Sequence, residues 1–184
     1  MASWQPVAEE LVRRRRHVLV AYAHMLTGSR SEAEDLVQDA LINTFAGHRS
    51  FPSAVAAETY VRRAIASRYI DSTRRRRREA SATDSLAILS PTETRCPGAG
   101  VAASVDVERA MLVLTPRERA CVALRYLDQA SVSQTAAALT LSEGAVKRYV
   151  YDGVAKLVAT LGIPFDDELA EWAPVESTGV VARA

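Results

Sequence analysis

Two cysteines and two lysines are all that the 184 residues contain of either type, and no uninterrupted apolar run approaches the ~20 residues a bilayer-spanning helix needs. Cys96 and Cys121 lie in dissimilar contexts without CxxC or Cys/His spacing, so a metal site is not predicted and a structural disulfide is not needed. His17, His24 and His48 likewise show no metal-ligand spacing. Phosphate-loop, HExxH and nucleophile-elbow patterns are all missing, which argues against an enzyme and for no cofactor. The N-terminal stretch MASWQPVAEELVRRRR turns charged without an apolar signal core, which predicts a cytoplasmic chain with no membrane insertion. With 48% hydrophobic and 24% charged residues, the chain can bury one large or two small cores.

The net charge of +1 conceals a strong polarity along the chain. Residues 1–79 carry 14 arginines against 9 acids, whereas the tail from residue 161 carries 1 basic residue against 5 acids. A basic end suits phosphates, whose neutralisation releases counterions and makes binding salt-dependent. Composition also divides the chain. The segment from about Ala80 to Ser104, containing TRCPGAG, is rich in small and turn-forming residues and lacks a helical stripe, so it reads as a linker. The predicted organisation is all-α: a helical domain over 1–79, a linker over 80–105, a second helical domain over 106–162 and an acidic tail over 163–184.

Helix-start signals recur in the second domain. Thr115, Pro116 and Glu118 place a hydroxyl cap, a first-turn proline and a capping-box glutamate in order. Ser131 with Gln134 gives a second start and Ser142 a third. In the last helix Val146, Val150, Val154, Leu157, Val158 and Leu161 form an apolar stripe ended by Gly162 and Pro164, and Lys147, Arg148 and Tyr151 fall on the opposite face. Cations near the start of the second helix of a helix-turn-helix lie where base edges are read. Leu124 and Leu127 are expected in the core, and Arg117 and Arg125 in phosphate or surface roles.

In the first domain, Val7, Leu11, Val18, Leu19, Tyr22 and Leu26 predict a helix ended by Gly28. Ser31 and Glu34 suggest the cap of a second helix, ending near Gly47, with Ala33, Val37, Ala40, Leu41 and Thr44 inward. Asp35, Gln38, Asp39 and Ile42 share another face and offer a basic helical partner charge, hydrogen bonds and one apolar anchor. A third helix over about Ala57–Arg78 buries Val61, Ala64, Ile65 and Tyr69. Arg62, Arg63, Arg68 and the run Arg74 to Arg78 are expected around its exposed side.

The runs LTPRERACVALRYL and LSEGAVK resemble the promoter-recognition helix-turn-helix of bacterial sigma factors, especially the extracytoplasmic-function group. Regulators of the LuxR type share a TPRE opening and a SEGAVK-like helix. They have no counterpart, however, to LTGSRSEAEDLVQDALINTFAG, which is similar to the sigma factors' polymerase-binding helix, or to YVRRAIASRYIDSTRRRRRE, which is similar to their minus-ten helix. The matches span about Val18 to Glu79 and Met111 to Leu161, in the family's order. The resemblance implies a dissociable subunit that binds core RNA polymerase and directs it to promoter DNA, with an anti-sigma protein as inhibitor. It assigns Asp35, Gln38, Asp39 and Ile42 to the clamp coiled coil of the largest polymerase subunit. Tyr60, Arg62, Arg63, Ser67, Arg68 and Arg74 go to the minus-ten element, with the His48 to Ala56 loop as a pocket for an extruded base. Ser142, Glu143, Lys147, Arg148 and Tyr151 go to the minus-thirty-five element.

Departures from the family pattern accompany the match. Tyr60 stands where the family usually has Trp, Ser67 where it has Asn, and Tyr149 and Arg148 where Arg and a small residue are common. Thr140 replaces a turn glycine, so a differently built turn is expected, because a β-branched residue resists positive φ. The alternatives are a stand-alone LuxR-like regulator and a polymerase-binding decoy that does not read promoters.

Overall fold

A computed structural model of the chain describes residues 4–82 and 102–163. Among these residues the fold is entirely helical. The first unit comprises α1 (Trp4–Thr27), α2 (Arg30–Phe45) and α3 (Ala54–Ala82), each packed on the other two. Leu11, Leu19, Leu26, Val37, Ala40, Val61 and Ile65 are fully buried between them. Burying each of the leucine, valine and isoleucine side chains contributes about 1.5–3 kcal/mol, and this shared core sets the helix directions.

The second unit runs through α4 (Ala102–Val113), α5 (Pro116–Val122), a π-helical turn (Ala123–Leu127), α6 (Val132–Leu139) and α7 (Glu143–Leu161). Its core is built from Met111, Leu114, Cys121, Leu124, Thr135, Leu139, Val146 and Val150. Gly153 lets α7 approach α5, since a Cβ there would lie 2.8 Å from a Val122 methyl. Burial pushes the Cys121 thiol up to about 12, so it is a core residue and not a nucleophile. Cys96 and the acidic tail beyond Ile163 lie outside the described residues.

The caps of the second unit follow the sequence. Thr115 with Glu118 and Ser131 with Gln134 form complete reciprocal capping boxes, and Ser142 Oγ accepts from the Ala145 N–H at 3.2 Å. The cap of α2 differs from expectation. Ser29, not Ser31, receives the Glu32 N–H. Gly28, at φ 72°, ends α1 by donating its N–H to the His24 carbonyl, so the next helix begins at once and the first of two overlapping SxxE patterns is used. Glu34 instead accepts from Arg30 Nε at 3.1 Å.

Several boundaries also move. Helix α3 starts three residues earlier than predicted and continues to Ala82, while α4 begins at Ala102, inside the segment read as linker. What joins them falls on residues 83–101, outside the described residues. Leu127 is not core: the π turn rotates it outward, leaving it 42% exposed, whereas Leu124 is fully buried. Thr140 adopts the left-handed conformation at φ 53° despite its branched side chain, and Leu141 N–H closes back onto the Ala136 carbonyl. The turn therefore keeps the geometry a glycine would give it and carries strain of about 1–3 kcal/mol.

The two units pack directly on one another. Helix α3 lies against α5 and α6, and α1 against α4. Gly28 meets Leu112 so closely that a Cβ would stand 2.6 Å from its terminal methyl. Arg119, buried at the junction, donates to the carbonyls of Leu26, Leu112 and Leu114, and its guanidinium lies 5.9 Å from the Tyr69 ring centroid. One side chain thus satisfies the end of α1 and the entrance to α5 together.

Candidate nucleic-acid and polymerase interfaces

The spacing of Asp35, Gln38, Asp39 and Ile42 places them on one face of α2, and all four are exposed, Ile42 to 56%. The inward positions Ala33, Val37, Ala40 and Thr44 hold the helix by burial, and Phe45 joins them. Asp35 and Asp39 also border a depression of about 340 Å³ shared with Arg75, Arg76 and Glu79 of α3. The face offers an acidic and partly apolar surface to a neighbour.

Around the loop between α2 and α3, aromatic rings make a continuous cluster. Trp4 stacks on Phe45 at 6.1 Å, Phe45 meets Phe51 edge-on at 5.7 Å, and Phe51 leans on Tyr60 at 5.4 Å. The Arg49 guanidinium lies 4.5 Å above the Tyr60 ring, and His48 takes a left-handed φ of 54° at the tip. Tyr60, 38% exposed, thereby joins ring surface to positive charge, a combination that accepts an unstacked base. Trp4 and Phe45 were not among the residues expected here, whereas Arg49 belongs to the His48 to Ala56 loop that was. Their signal is aromatic spacing across a loop, which only the fold brings together.

Arg62 and Arg63 do not lie free on an exposed face of α3, contrary to expectation. Arg62 donates to Asp128 Oδ1 at 3.1 Å and to Glu58, and Glu58 also faces Arg15 at 3.5 Å. Arg63 donates to Gln134 Oε1 at 3.1 Å, the same oxygen that accepts from the Ser131 N–H in the α6 capping box. The Asp128 side chain is only 2% exposed. Burial pushes its carboxyl above the usual range, and the Arg62 hydrogen bond and charge pull against that rise. The π turn that ends α5 brings Asp128 to this position, so a local backbone irregularity sets an inter-unit ion pair. Ser67 and Arg68 are half-buried, and Arg74 is exposed. Ser67 and Arg74 border a cavity with Thr140 and Leu141 of the helix-turn-helix turn. Of the expected minus-ten residues, Arg62, Arg63, Ser67 and Arg74 therefore face the second unit in this arrangement, whereas Tyr60 belongs to the aromatic loop.

The outer face of α7 is different. Ser142, Glu143, Lys147 and Arg148 are all exposed at its N-terminal end, and Tyr151 is half-buried. Arg148 approaches Asp152 at 3.7 Å, a surface pair of little energetic consequence. Tyr149 turns inward and its hydroxyl accepts from Arg117 at 3.0 Å. Arg125 does not play the surface role expected of it, since it is half-buried and donates to the Ala130 carbonyl, closing the loop that leads into α6. Glu118 performs two tasks: it accepts the Thr115 N–H at 2.9 Å and receives Lys156 Nζ at 2.7 and 2.8 Å. Burial raises its carboxyl, but these bonds and the ammonium charge outweigh burial and hold it below its ordinary value.

No described helix is long and apolar enough to cross a membrane, and no group of metal-ligating side chains occurs among the described residues. A three-helix unit carrying an acidic face, joined to a helix-turn-helix whose leading residues are exposed, is the architecture of a transcription-initiation subunit. Residues 11–79 match the family model for Sigma-70 region 2 and residues 104–157 the model for Sigma-70, region 4; the chain belongs to the sigma-70 family. It is 32% identical over 149 residues to an RNA polymerase sigma-E factor of Streptomyces avermitilis, covering 81% of this chain and 82% of that one. An RNA polymerase sigma-E factor of Streptomyces coelicolor shows the same 32% identity, with 81% and 82% covered. An ECF RNA polymerase sigma factor, SigM of Mycobacterium tuberculosis, is 29% identical over 154 residues, covering 84% of this chain and 76% of that protein. The fold is shared with the sigma factor RpoE of Bartonella quintana, solved in complex with the anti-sigma factor NepR: TM-score 0.66, 24% identity, 85% of this chain and 97% of that one. The extracytoplasmic-function reading stands, and the LuxR-like alternative falls because region 2 is present. A sigma factor directs a polymerase and is not itself an enzyme.

Proposed function

We propose that this chain fastens to core RNA polymerase through the Asp35, Gln38, Asp39 and Ile42 face and presents two DNA-contacting surfaces to one promoter. The observation that carries the docking face is its exposure. Four residues able to pair with a basic helix stand together on α2, and none is spent on the protein's own core. The minus-thirty-five element is read by Ser142, Glu143, Lys147, Arg148 and Tyr151. Arginine and lysine contact guanine O6 and N7, and glutamate accepts from cytosine N4. The minus-ten strand is held by Tyr60, Arg62, Arg63, Ser67, Arg68 and Arg74, with an extruded base taken by the aromatic loop around Phe51.

Engagement of the opened strand by Arg62 and Arg63 requires their contacts with Asp128 and Gln134 to break. The packed arrangement of the two units is then the resting form, and promoter binding on polymerase uses a parted one. An anti-sigma protein that covers the α2 face or holds the units together would keep the chain inactive, a role supported by the anti-sigma complex of the structural relative. These activities place the protein with polymerase on the nucleoid, in the cytoplasm.

Asp35→Arg combined with Asp39→Arg tests the docking face. Affinity for core polymerase is expected to fall at least 100-fold in a pull-down titration while the circular dichroism spectrum is unchanged. Retained affinity would move the docking site elsewhere.

A further inference from the structure

The arginine run that closes α3 is not one uniform basic patch. Arg75 Nε donates to Glu79 at 2.9 Å and Arg76 to Glu32 at 2.9 Å, so two of the five are paired on the side facing α2. Arg74, Arg77 and Arg78 have no ion pair among the described residues. With Ile70, Thr73 and Ser81 they form a stripe at helical spacing, which lines one wall of a cleft of about 690 Å³. The second unit supplies the other wall: Thr115, Pro116, Arg117 and Tyr149. Arg117 is anchored there by its bond to the Tyr149 hydroxyl, its guanidinium 5.9 Å from that ring's centroid.

Four guanidinium groups thus converge on one cleft, and among the described residues no carboxylate lines it. Asp71 lies in an adjoining cavity of about 290 Å³, which shares Arg74 and Arg117. Guanidinium does not lose its proton at accessible pH, so the mutual repulsion cannot be relieved by titration. An anion held between them would relieve it while the units stay packed. Planar guanidinium forks match phosphate oxygens two at a time, and the cleft volume falls within the range of small-molecule sites.

We propose that this cleft binds a compact oligophosphate, carried either by a nucleoside polyphosphate or by inorganic polyphosphate, bridging Arg74, Arg77 and Arg78 of α3 to Arg117 of α5. Because the ligand touches both units, it favours the packed form and opposes the parted one. The site depends on the packing of the two units and is independent of the polymerase-docking face, so either can fail without the other.

Isothermal titration of the full chain with tripolyphosphate, GTP and ATP, in magnesium-free buffer at moderate salt, tests the site. Saturable one-to-one binding is expected. Arg117→Ala and the pair Arg77→Ala with Arg78→Ala should each weaken it at least tenfold, while Arg75→Ala changes it less than twofold. Tripolyphosphate binding as tightly as GTP and ATP assigns recognition to phosphate alone; tighter binding of either nucleotide adds the base. Thermal unfolding of each variant, with an unchanged midpoint, keeps a loss of binding from being a loss of fold. Förster transfer between dyes on α1 and α7 should rise on saturation. Absence of saturable binding to all three ligands would overturn the proposal. So would equal weakening by Arg75→Ala, which would mark diffuse attraction. Capture of a single-stranded oligonucleotide, with no displacement by tripolyphosphate, would instead make the cleft part of a nucleic-acid track.

Discussion

Lys147 and Arg148 stand exposed on the outer face of α7, whereas Arg62 and Arg63 are held by Asp128 and Gln134 across the contact between the two units. Both pairs belong to surfaces proposed to meet DNA, yet only the first is presented. The difference comes from what each helix packs against. Helix α7 buries Val146, Val150 and Gly153 against its own unit and leaves its leading polar face outward. Helix α3 buries one stripe in its own unit and offers the next to α5 and α6. A single chain therefore holds one of the two proposed DNA surfaces open and the other occupied by the protein itself.

The contrast breaks most severely at Arg119. Arg119→Ala leaves the buried carbonyls of Leu26 and Leu114 and the half-buried one of Leu112 without this donor, and each fully buried loss costs about 1–3 kcal/mol. Urea unfolding should show a stability loss of at least about 2 kcal/mol, and small-angle scattering should show a larger radius of gyration. A variant as stable and compact as the parent would remove Arg119 from its linking role.

Acid titration probes the second unit alone. The folded Glu118 carboxyl is held below its ordinary value, so its contribution is fully present above that ordinary value and is lost as pH falls through the depressed folded one. Glu118→Gln should cost about 2 kcal/mol at neutral pH and flatten the stability profile in that acidic window. An unchanged acid limb would place the titrating group elsewhere.

Asp128→Ala acts on the contact itself. It frees one side of Arg62 while Glu58 still holds the other, so the expected change is a several-fold gain in affinity for single-stranded minus-ten DNA, read by fluorescence anisotropy. Duplex binding by α7 should not move. A gain in both would mean a general change of charge rather than a release of Arg62. The smallest effect belongs to Thr140→Gly, which relieves the left-handed strain and should stabilise the chain by about 1 kcal/mol in thermal unfolding.

Features whose cause is local were legible in the sequence. Thr115 with Glu118, Ser131 with Gln134 and Ser142 each cap a helix within three residues, so spacing alone located them. Where two local patterns overlapped, at Ser29–Glu32 and Ser31–Glu34, the choice was settled by Gly28 ending the previous helix. Helix α4 was within reach: Val107, Ala110, Met111 and Leu114 recur at helical spacing, but the run sits beside a segment of linker composition. The fates of Arg62, Arg63 and Arg119 were not legible. Their partners in the other unit lie 66, 71 and 93 positions away in the chain, and no periodicity encodes which arginine meets an acceptor there. Leu127 misled for a related reason, because a π turn shifts the helical register on which its inward placement rested.

Promoter-dependent run-off transcription by purified core polymerase, with and without this chain, bears most directly on the whole account. Specific transcripts should appear only when the chain is added, and Lys147→Ala with Arg148→Ala should abolish them without releasing the chain from polymerase. Equal initiation in its absence would contradict the account.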